Sequence, residues 1–106
     1  MPDRITATAR VATPTPDRYA TQLAAHLGRR LEVREEADGL RLVFGAGDGT
    51  ADGASIGDCL LRSREAALEL SASAADAAGL ERITQVVGSH LERFGQRNEL
   101  AVVWSS

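Results

Sequence analysis

Apolar and polar residues alternate in six stretches of the chain, and this alternation predicts strands with one buried face. Ile5, Ala7 and Ala9 alternate with polar residues near the start, and Leu68 and Leu70 do so in the second half. A period of two residues is typical of a strand, because successive side chains point to opposite faces of the sheet. The predicted strands are 5–11, a strand that begins at Leu31, 40–44, 56–62, 67–74 and 100–104.

Two other segments repeat apolar residues at the spacing of a helix. In the first segment Tyr19, Leu23 and Leu27 form one stripe, Thr15 is placed to cap the helix, and Pro16 occupies its first position. The second predicted helix runs from Asp76 to Phe94, ends before Gly95 and carries one stripe of Leu80, Ile83, Val87, Leu91 and Phe94.

The predicted order of elements is therefore β-α-β-β-β-β-α-β. Asp38-Gly39 is a two-residue hairpin signal, and the turn at 63–66 joins the next two strands, so the sheet is expected to be mainly antiparallel. We predict a single α+β domain over residues 1–106, a two-layer sandwich of about six strands with both helices on one face.

Composition supports a folded domain and excludes several functions. Hydrophobic residues make up 43% of the 106 residues and charged residues 25%, which is ordinary for a globular domain. The net charge is -3, so no basic field favours nucleic acid as a partner. All basic side chains apart from histidine are arginine, which excludes Schiff-base chemistry and a Walker lysine.

Cellular location is predicted from the N-terminus, hydropathy and cysteine content. The first ten residues lack the apolar core of a signal peptide, and no apolar run approaches the length of a membrane span, about 18 residues. Cys59 is the single cysteine, so no internal disulfide forms and a reducing compartment is the natural setting. We predict a cytoplasmic protein without a membrane partner.

The two histidines are the first candidates for a functional site. A weak internal repeat places His26 and His90 at equivalent positions of the two helices, each at the margin of its apolar stripe. If the helices pack side by side, the imidazoles converge, and Cys59 or Glu92 could join them to bind a soft metal or a haem-like ligand. The alternative is that both histidines are structural, and no resident cofactor is predicted.

Three further features have a structural and a functional interpretation. Cys59 is either a small buried hydrophobe or the nucleophile of a Cys-His pair. Arg93 and Arg97, at the end of the second helix, either clamp an anionic ligand or satisfy the last helical carbonyls. The segment Gly45 to Gly53, GAGDGTADG, fails as a dinucleotide fingerprint or a calcium loop and is predicted to be a solvated loop.

Several short strings resemble a known bacterial family. HLERFGQRNELAVVW, from His90 to Trp104, and TARVAT, from Thr8 to Thr13, are similar to the sequence of domain-of-unknown-function family 2218. Such domains occur alone and also attached to siderophore-interacting flavin reductases, so the resemblance implies a link to intracellular iron handling and a possible flavin-reductase-type partner. The region 45–55 looks like an insertion relative to the family.

The function expected from these observations is that of a non-enzymatic accessory or ligand-binding module linked to iron or siderophore metabolism. The positions to test are His26, His90, Arg93, Arg97 and Cys59. One alternative is a homodimeric interaction protein that associates through an exposed sheet edge or face. Another is a metal- or thiol-dependent enzyme that uses the histidines and Cys59.

Overall fold

A computed structural model describes residues 5–29, 31–37, 39–45, 55–96 and 100–105. Its elements follow the order predicted from the sequence, apart from the last strand. They are β1 Ile5–Ala12, α1 Pro16–Leu27, β2 Glu32–Glu36, β3 Gly39–Gly45, β4 Ser55–Arg64, β5 Ala67–Ala74 and α2 Ala77–Phe94. The predicted turn residue Asp38 and the predicted loop residues 46–53 lie outside the described residues.

The strands form one antiparallel sheet in the order β1-β5-β4-β3-β2. The pairs Ala7↔Ala72, Cys59↔Ala72 and Leu42↔Cys59 carry one row of buried side chains across four strands. Every second residue of β1, β3, β4 and β5 therefore contributes to the same apolar face, whereas β2 adds only half-buried Val33. The α+β fold predicted from the periodicity is confirmed, with five strands in the sheet in place of about six.

Both helices cover this apolar face. The predicted stripe of α1 is buried, with Leu23 fully inaccessible, and the stripe of α2 buries Ile83, Val87 and Leu91 completely. These side chains join those of the strands in one continuous core. A 3.6-residue period on the helices and a two-residue period on the strands thus produce the two layers of the domain.

The opposite face of the sheet is polar, and ion pairs connect its strands. Arg10 Nη1 lies 3.3 Å from Glu69 Oε2 across β1 and β5, and Arg41 Nη1 lies 3.0 Å from Asp58 Oδ1 across β3 and β4. Arg41 also contacts Glu36 at 2.6 Å. These pairs remain partly open to solvent, and solvent-accessible pairs contribute little stability, about 0 to 1 kcal/mol each, but their charges keep this face in water.

The C-terminal segment 100–105 corrects the prediction of a sixth strand. Its burial alternates as predicted, but Ser105 alone bridges β1, through reciprocal backbone hydrogen bonds with Thr8 of 2.7 and 2.8 Å. Two other donors of the segment bond to α2 and its C-cap instead. Leu100 N donates to Gly95 O at 3.1 Å, and Val102 N donates to a carboxylate oxygen of Glu92 at 2.9 Å. An alternating pattern indicates which side chains are buried, and it does not identify the hydrogen-bond partner.

Gly95 ends α2 for a different reason from the one expected. A left-handed residue is the usual reason for a glycine after a helix. Here Gly95 has φ -99°, which any residue can adopt. A Cβ at this position would instead lie 2.5 Å from the Cβ of Leu100. The glycine allows the C-terminal segment to pass close to the helix end.

The two helix starts differ in how they are capped. Asp76 caps α2, since its side chain accepts a hydrogen bond from Gly79 N at 2.8 Å. The predicted cap of α1 is wrong, because the Thr15 side chain makes no capping bond. Buried Thr13 acts one step earlier, where its hydroxyl accepts from Thr15 N at 3.1 Å. The sequence Thr-Pro-Thr-Pro offers two hydroxyls, and the buried one is used.

Neither helix is long and apolar enough to cross a membrane, among the residues that the structure describes. The helices instead carry one apolar stripe each, and that stripe is occupied by the sheet.

The turn between β4 and β5 contains the one residue other than glycine with a positive φ in the described part of the chain. Ala66 has φ 58°, and its carbonyl accepts a hydrogen bond from Thr13 N at 3.1 Å. An L-residue with a Cβ pays a steric cost in this left-handed conformation, whereas glycine does not.

We therefore expect Ala66→Gly to stabilise the domain by about 0.5 to 1 kcal/mol, despite the added freedom of the unfolded chain. Urea denaturation measures the change. The matched control is Ala25→Gly on the exposed side of α1, which should cost about 1 kcal/mol because glycine weakens a helix. Equal losses in both variants would contradict the strain at Ala66.

Candidate functional site

The two histidines lie side by side where α1 and α2 pack against each other. This line of contact between the helices, with His26, His90 and Phe94, is the helix seam. His26 lies in the last turn of α1, and His90 lies in the second half of α2. Their ring centroids are 5.1 Å apart and their planes are tilted by 45°. His26 is exposed and His90 is half-buried, as expected for residues at the margin of an apolar stripe. The structure thus brings together the pair that the internal repeat singled out.

Phe94 completes a cluster of three rings. Its centroid lies 5.5 Å from that of His26 and 6.4 Å from that of His90, with the rings edge to face in both pairs. His90 and Phe94 are four residues apart on α2, so they are neighbours on one side of the helix. Such edge-to-face contacts hold ring orientations and contribute about 0.5 to 1.5 kcal/mol beyond area burial.

One hydrogen bond fixes the tautomer of His90. Its Nδ1 lies 2.7 Å from the carbonyl oxygen of Val86, one turn earlier on α2. A carbonyl oxygen only accepts, so Nδ1 carries the proton. In the neutral ring, Nε2 then keeps its lone pair for a ligand or a proton. The same arrangement, with one nitrogen bonded to a backbone carbonyl, orients metal-binding histidines.

Cys59 does not join the histidines. It lies in β4 with no exposed surface and pairs with Leu42 and Ala72 inside the core. Burial, with a smaller contribution from the charge of neighbouring Asp58, raises the pKa of the Cys59 thiol to about 12. The thiol therefore stays protonated at neutral pH and cannot act as a nucleophile or as a metal ligand without losing that proton.

Glu92 is also removed from the histidine pair. Its carboxylate accepts the Val102 N–H at 2.9 Å and so holds the C-terminal segment on α2. Within the described ranges, no three residues among the histidines, Cys59 and the carboxylates form a group that could hold a metal ion. The site offers two imidazoles and no third protein ligand from these ranges.

The predicted arginine clamp is only half described. Arg93 is exposed in the last turn of α2 and lines a shallow depression of about 520 Å³ with Ser89, Gln96 and Leu100. Arg97 lies outside the described residues. Both interpretations, the anion clamp and the satisfaction of the last helical carbonyls, therefore stay open.

Sequence reasoning missed two parts of this site. Phe94 was assigned to the core stripe alone, although its spacing of four residues from His90 could have suggested a ring cluster. The Val86 carbonyl leaves no sequence signal, because every residue carries one.

Comparison with known proteins agrees with this architecture. Residues 8–105 match the profile of a family described as "Uncharacterized protein conserved in bacteria (DUF2218)". The chain belongs to this family. The match confirms the resemblance seen in the His90 to Trp104 string and in the opening strand, and it extends from Thr8 within β1 through the other strands and both helices to Ser105.

The fold of this DUF2218 domain is similar to that of a solved structure. The NMR structure of PA4090 from Pseudomonas aeruginosa superposes with a TM-score of 0.71 over 94% of each chain, at 23% sequence identity. At that identity the likeness concerns the fold alone. No curated protein matches the chain.

The state of Cys59 gives a testable expectation for this DUF2218 domain. At pH 8 a thiol with a pKa near 12 is ionised in about one molecule in ten thousand, so native protein should resist iodoacetamide. Protein unfolded in urea should react about a thousandfold faster, because the exposed thiol regains an ordinary pKa. Mass spectrometry of quenched samples measures both rates. Complete alkylation of native protein within minutes would contradict the buried, protonated thiol.

Proposed function

We propose that the domain is a non-enzymatic ligand-binding module whose site is the seam between α1 and α2. The ligand is a transition-metal ion that arrives with some of its other ligands, and His26 and His90 bind it through one nitrogen each. The observation that carries the proposal is the 5.1 Å separation of the two ring centroids, together with the Nδ1 bond of His90.

The separation matches shared coordination in one geometry. A metal lies about 2.1 Å from a ligating imidazole nitrogen, which puts each ring centroid about 3 Å from the metal. Two imidazoles at a tetrahedral angle then have centroids about 5 Å apart, whereas ligands on opposite sides of a haem iron would be about 6 Å apart. The 5.1 Å found here favours a tetrahedral ion over a bis-histidine haem.

The number of protein ligands decides what kind of metal site this is. A closed structural site needs four ligands, and a catalytic site usually has three. With two imidazoles from the described ranges, about half of the positions remain for water or for oxygen atoms of a chelator. This suits reversible binding of a metal complex. The proposed link to iron or siderophore handling rests on the family resemblance seen in the sequence.

Surface exposure also suits a reversible ligand. His26 is exposed and His90 is half-buried, so a complex can reach both nitrogens without unfolding the seam. Phe94 offers an apolar ring edge beside them. We assign no reaction to the site, since Cys59, the one candidate nucleophile considered, is protonated in the core.

Other sequence-based expectations remain predictions. Cytoplasmic location and a flavin-reductase-type partner rest on composition and on the family resemblance. The homodimer also stays a prediction.

Metal titration tests the proposal. Wild-type protein should bind Zn²⁺ and Co²⁺, and the Co²⁺ complex should show the intense visible bands of tetrahedral coordination. His26→Ala and His90→Ala should each lower the affinity at least about tenfold, because each removes one of two protein ligands. Binding should also weaken as the pH falls, since protons compete for the imidazole nitrogens. Ferrous and ferric iron, free and as citrate or hydroxamate complexes, are titrated in the same way.

Gln22→Ala is the matched control, because Gln22 is exposed one turn before His26 on the same helix. It should bind as wild type does. The proposal fails if wild type binds none of these ions or complexes, or if both histidine variants bind as tightly as the Gln22 variant. Circular dichroism of each variant separates loss of a ligand from loss of the fold.

A further inference from the structure

The β2 strand leaves one edge of the sheet open. Among the described residues, β2 pairs only with β3, whereas β1 at the other edge is bridged by Ser105. Glu36 pairs with Gly39 across a two-residue connection, and the pair that closes such a hairpin is hydrogen-bonded. Bonded pairs recur at every second residue of an antiparallel ladder. The residues of β2 that exchange backbone hydrogen bonds with β3 are therefore Glu36, Arg34 and Glu32. The backbone groups of Val33 and Glu35 consequently point away from the sheet.

The opposite edge checks this assignment. In the β4–β5 hairpin, Arg64 pairs with Ala67 across a two-residue turn, and the alternation of bonded and non-bonded pairs continues from β5 into β1. This alternation directs the backbone groups of Thr8 away from the sheet. Thr8 is the residue whose backbone bonds to Ser105. No comparable bond reaches Val33 or Glu35 in the part of the chain that the structure describes. Their N–H and C=O groups are available to an added strand.

A depression of about 470 Å³ adjoins this edge. It lies between the first turns of α1 and the β2–β3 hairpin. Half-buried Leu40 supplies apolar surface above the buried Ala20 and Leu61, and Asp17 and Glu35 supply carboxylates. Glu36 also lines the depression, but Arg41 holds it at 2.6 and 3.0 Å. No ion pair or side-chain hydrogen bond is recorded for Asp17 or Glu35 within the described residues.

The charge at this edge selects the partner. Of the three glutamates of β2, Glu32 is paired with Arg34 and Glu36 with Arg41. Among the described residues this leaves Glu35 as the glutamate of β2 without an ion pair, and Asp17 adds a second such carboxylate. A second copy of β2 would add another unpaired Glu35 to this edge, and like charges on paired strands are destabilising. Glu35 also points to the apolar face of the sheet, which disfavours a purely apolar strand opposite it. A lysine or arginine opposite Glu35 removes that cost.

We infer that the β2 edge docks an extended, basic segment of a partner protein, which adds a strand beside Val33 and Glu35. Backbone hydrogen bonds supply the affinity, and alternate side chains supply the specificity. A long basic side chain lies with its alkyl stem on half-buried Leu40 and its charged end at Asp17 and Glu35. This surface is separate from the histidine seam and does not depend on it.

The inference is tested by nuclear magnetic resonance. A capped heptapeptide of alternating arginine and valine is titrated into ¹⁵N-labelled protein. The peptide should shift the amide signals of β2 and should slow hydrogen exchange at Val33 and Glu35. Peptides with serine or glutamate in place of arginine should bind at least about tenfold more weakly, and added salt should weaken the arginine peptide.

Variants locate the contact. Asp17→Asn and Glu35→Gln should each weaken the arginine peptide about threefold or more. Glu81→Gln on exposed α2 is the matched control and should leave binding unchanged. Glu35→Arg should reverse the preference towards the glutamate peptide. These are exposed side chains, so the fold is expected to tolerate all four changes.

Three results would overturn the inference. The serine peptide could bind as tightly as the arginine peptide, or the shifted signals could lie away from β2. The third is protection of Val33 and Glu35 in peptide-free protein together with a dimeric mass by light scattering, which would assign this edge to a second copy of the chain.

Discussion

Burial of a single face of the sheet is the constraint on which the rest of the structure depends. Five antiparallel strands present one apolar face, and ion pairs keep the other face in water. Both helices must therefore share the same face and pack against one another over it. The margins of their two apolar stripes meet in a seam, and that seam contains His26, His90 and Phe94.

The same constraint places the other candidate groups. Cys59 follows the period of β4 into the core, where burial raises the pKa of its thiol and removes its reactivity. Glu92 lies on another side of α2 and anchors the C-terminal segment through Val102 N. The open edge at β2 results from the strand order, because the chain that follows α2 returns to β1 and not to β2.

The periodicity of apolar residues predicted most of this fold, because apolar residues occupy the positions that become buried in the core. It predicted β1, the hairpins and both helices, and the match of residues 8–105 to DUF2218 agrees with the resemblance of the His90 to Trp104 string. It could not identify hydrogen-bond partners, so the alternating segment after Leu100 was assigned to a sixth strand. Thr15 was likewise assigned as a side-chain cap, whereas in the structure its own N–H donates to the hydroxyl of buried Thr13.

The candidate site was only partly predictable. The helical repeat paired the two histidines, but their separation depends on how the helices pack on the sheet, and no local pattern contains that distance. The bond from His90 to the Val86 carbonyl was invisible for the same reason. The acidic residues of the β2 edge were visible one by one, yet Asp17 and Glu35 are 18 residues apart in sequence and become neighbours only after α1 folds over the sheet.

The helix seam holds His26 and His90 in contact, with His90 protonated at Nδ1 and its Nε2 lone pair available. Long-range ¹H–¹⁵N correlation spectra of protein labelled at histidine, recorded above pH 8, measure the tautomer and the contact between the rings together. We expect the Nδ1-protonated form for His90 and nuclear Overhauser effects between the two imidazoles. An Nε2-protonated His90 with no transfer of magnetisation to His26 would contradict it.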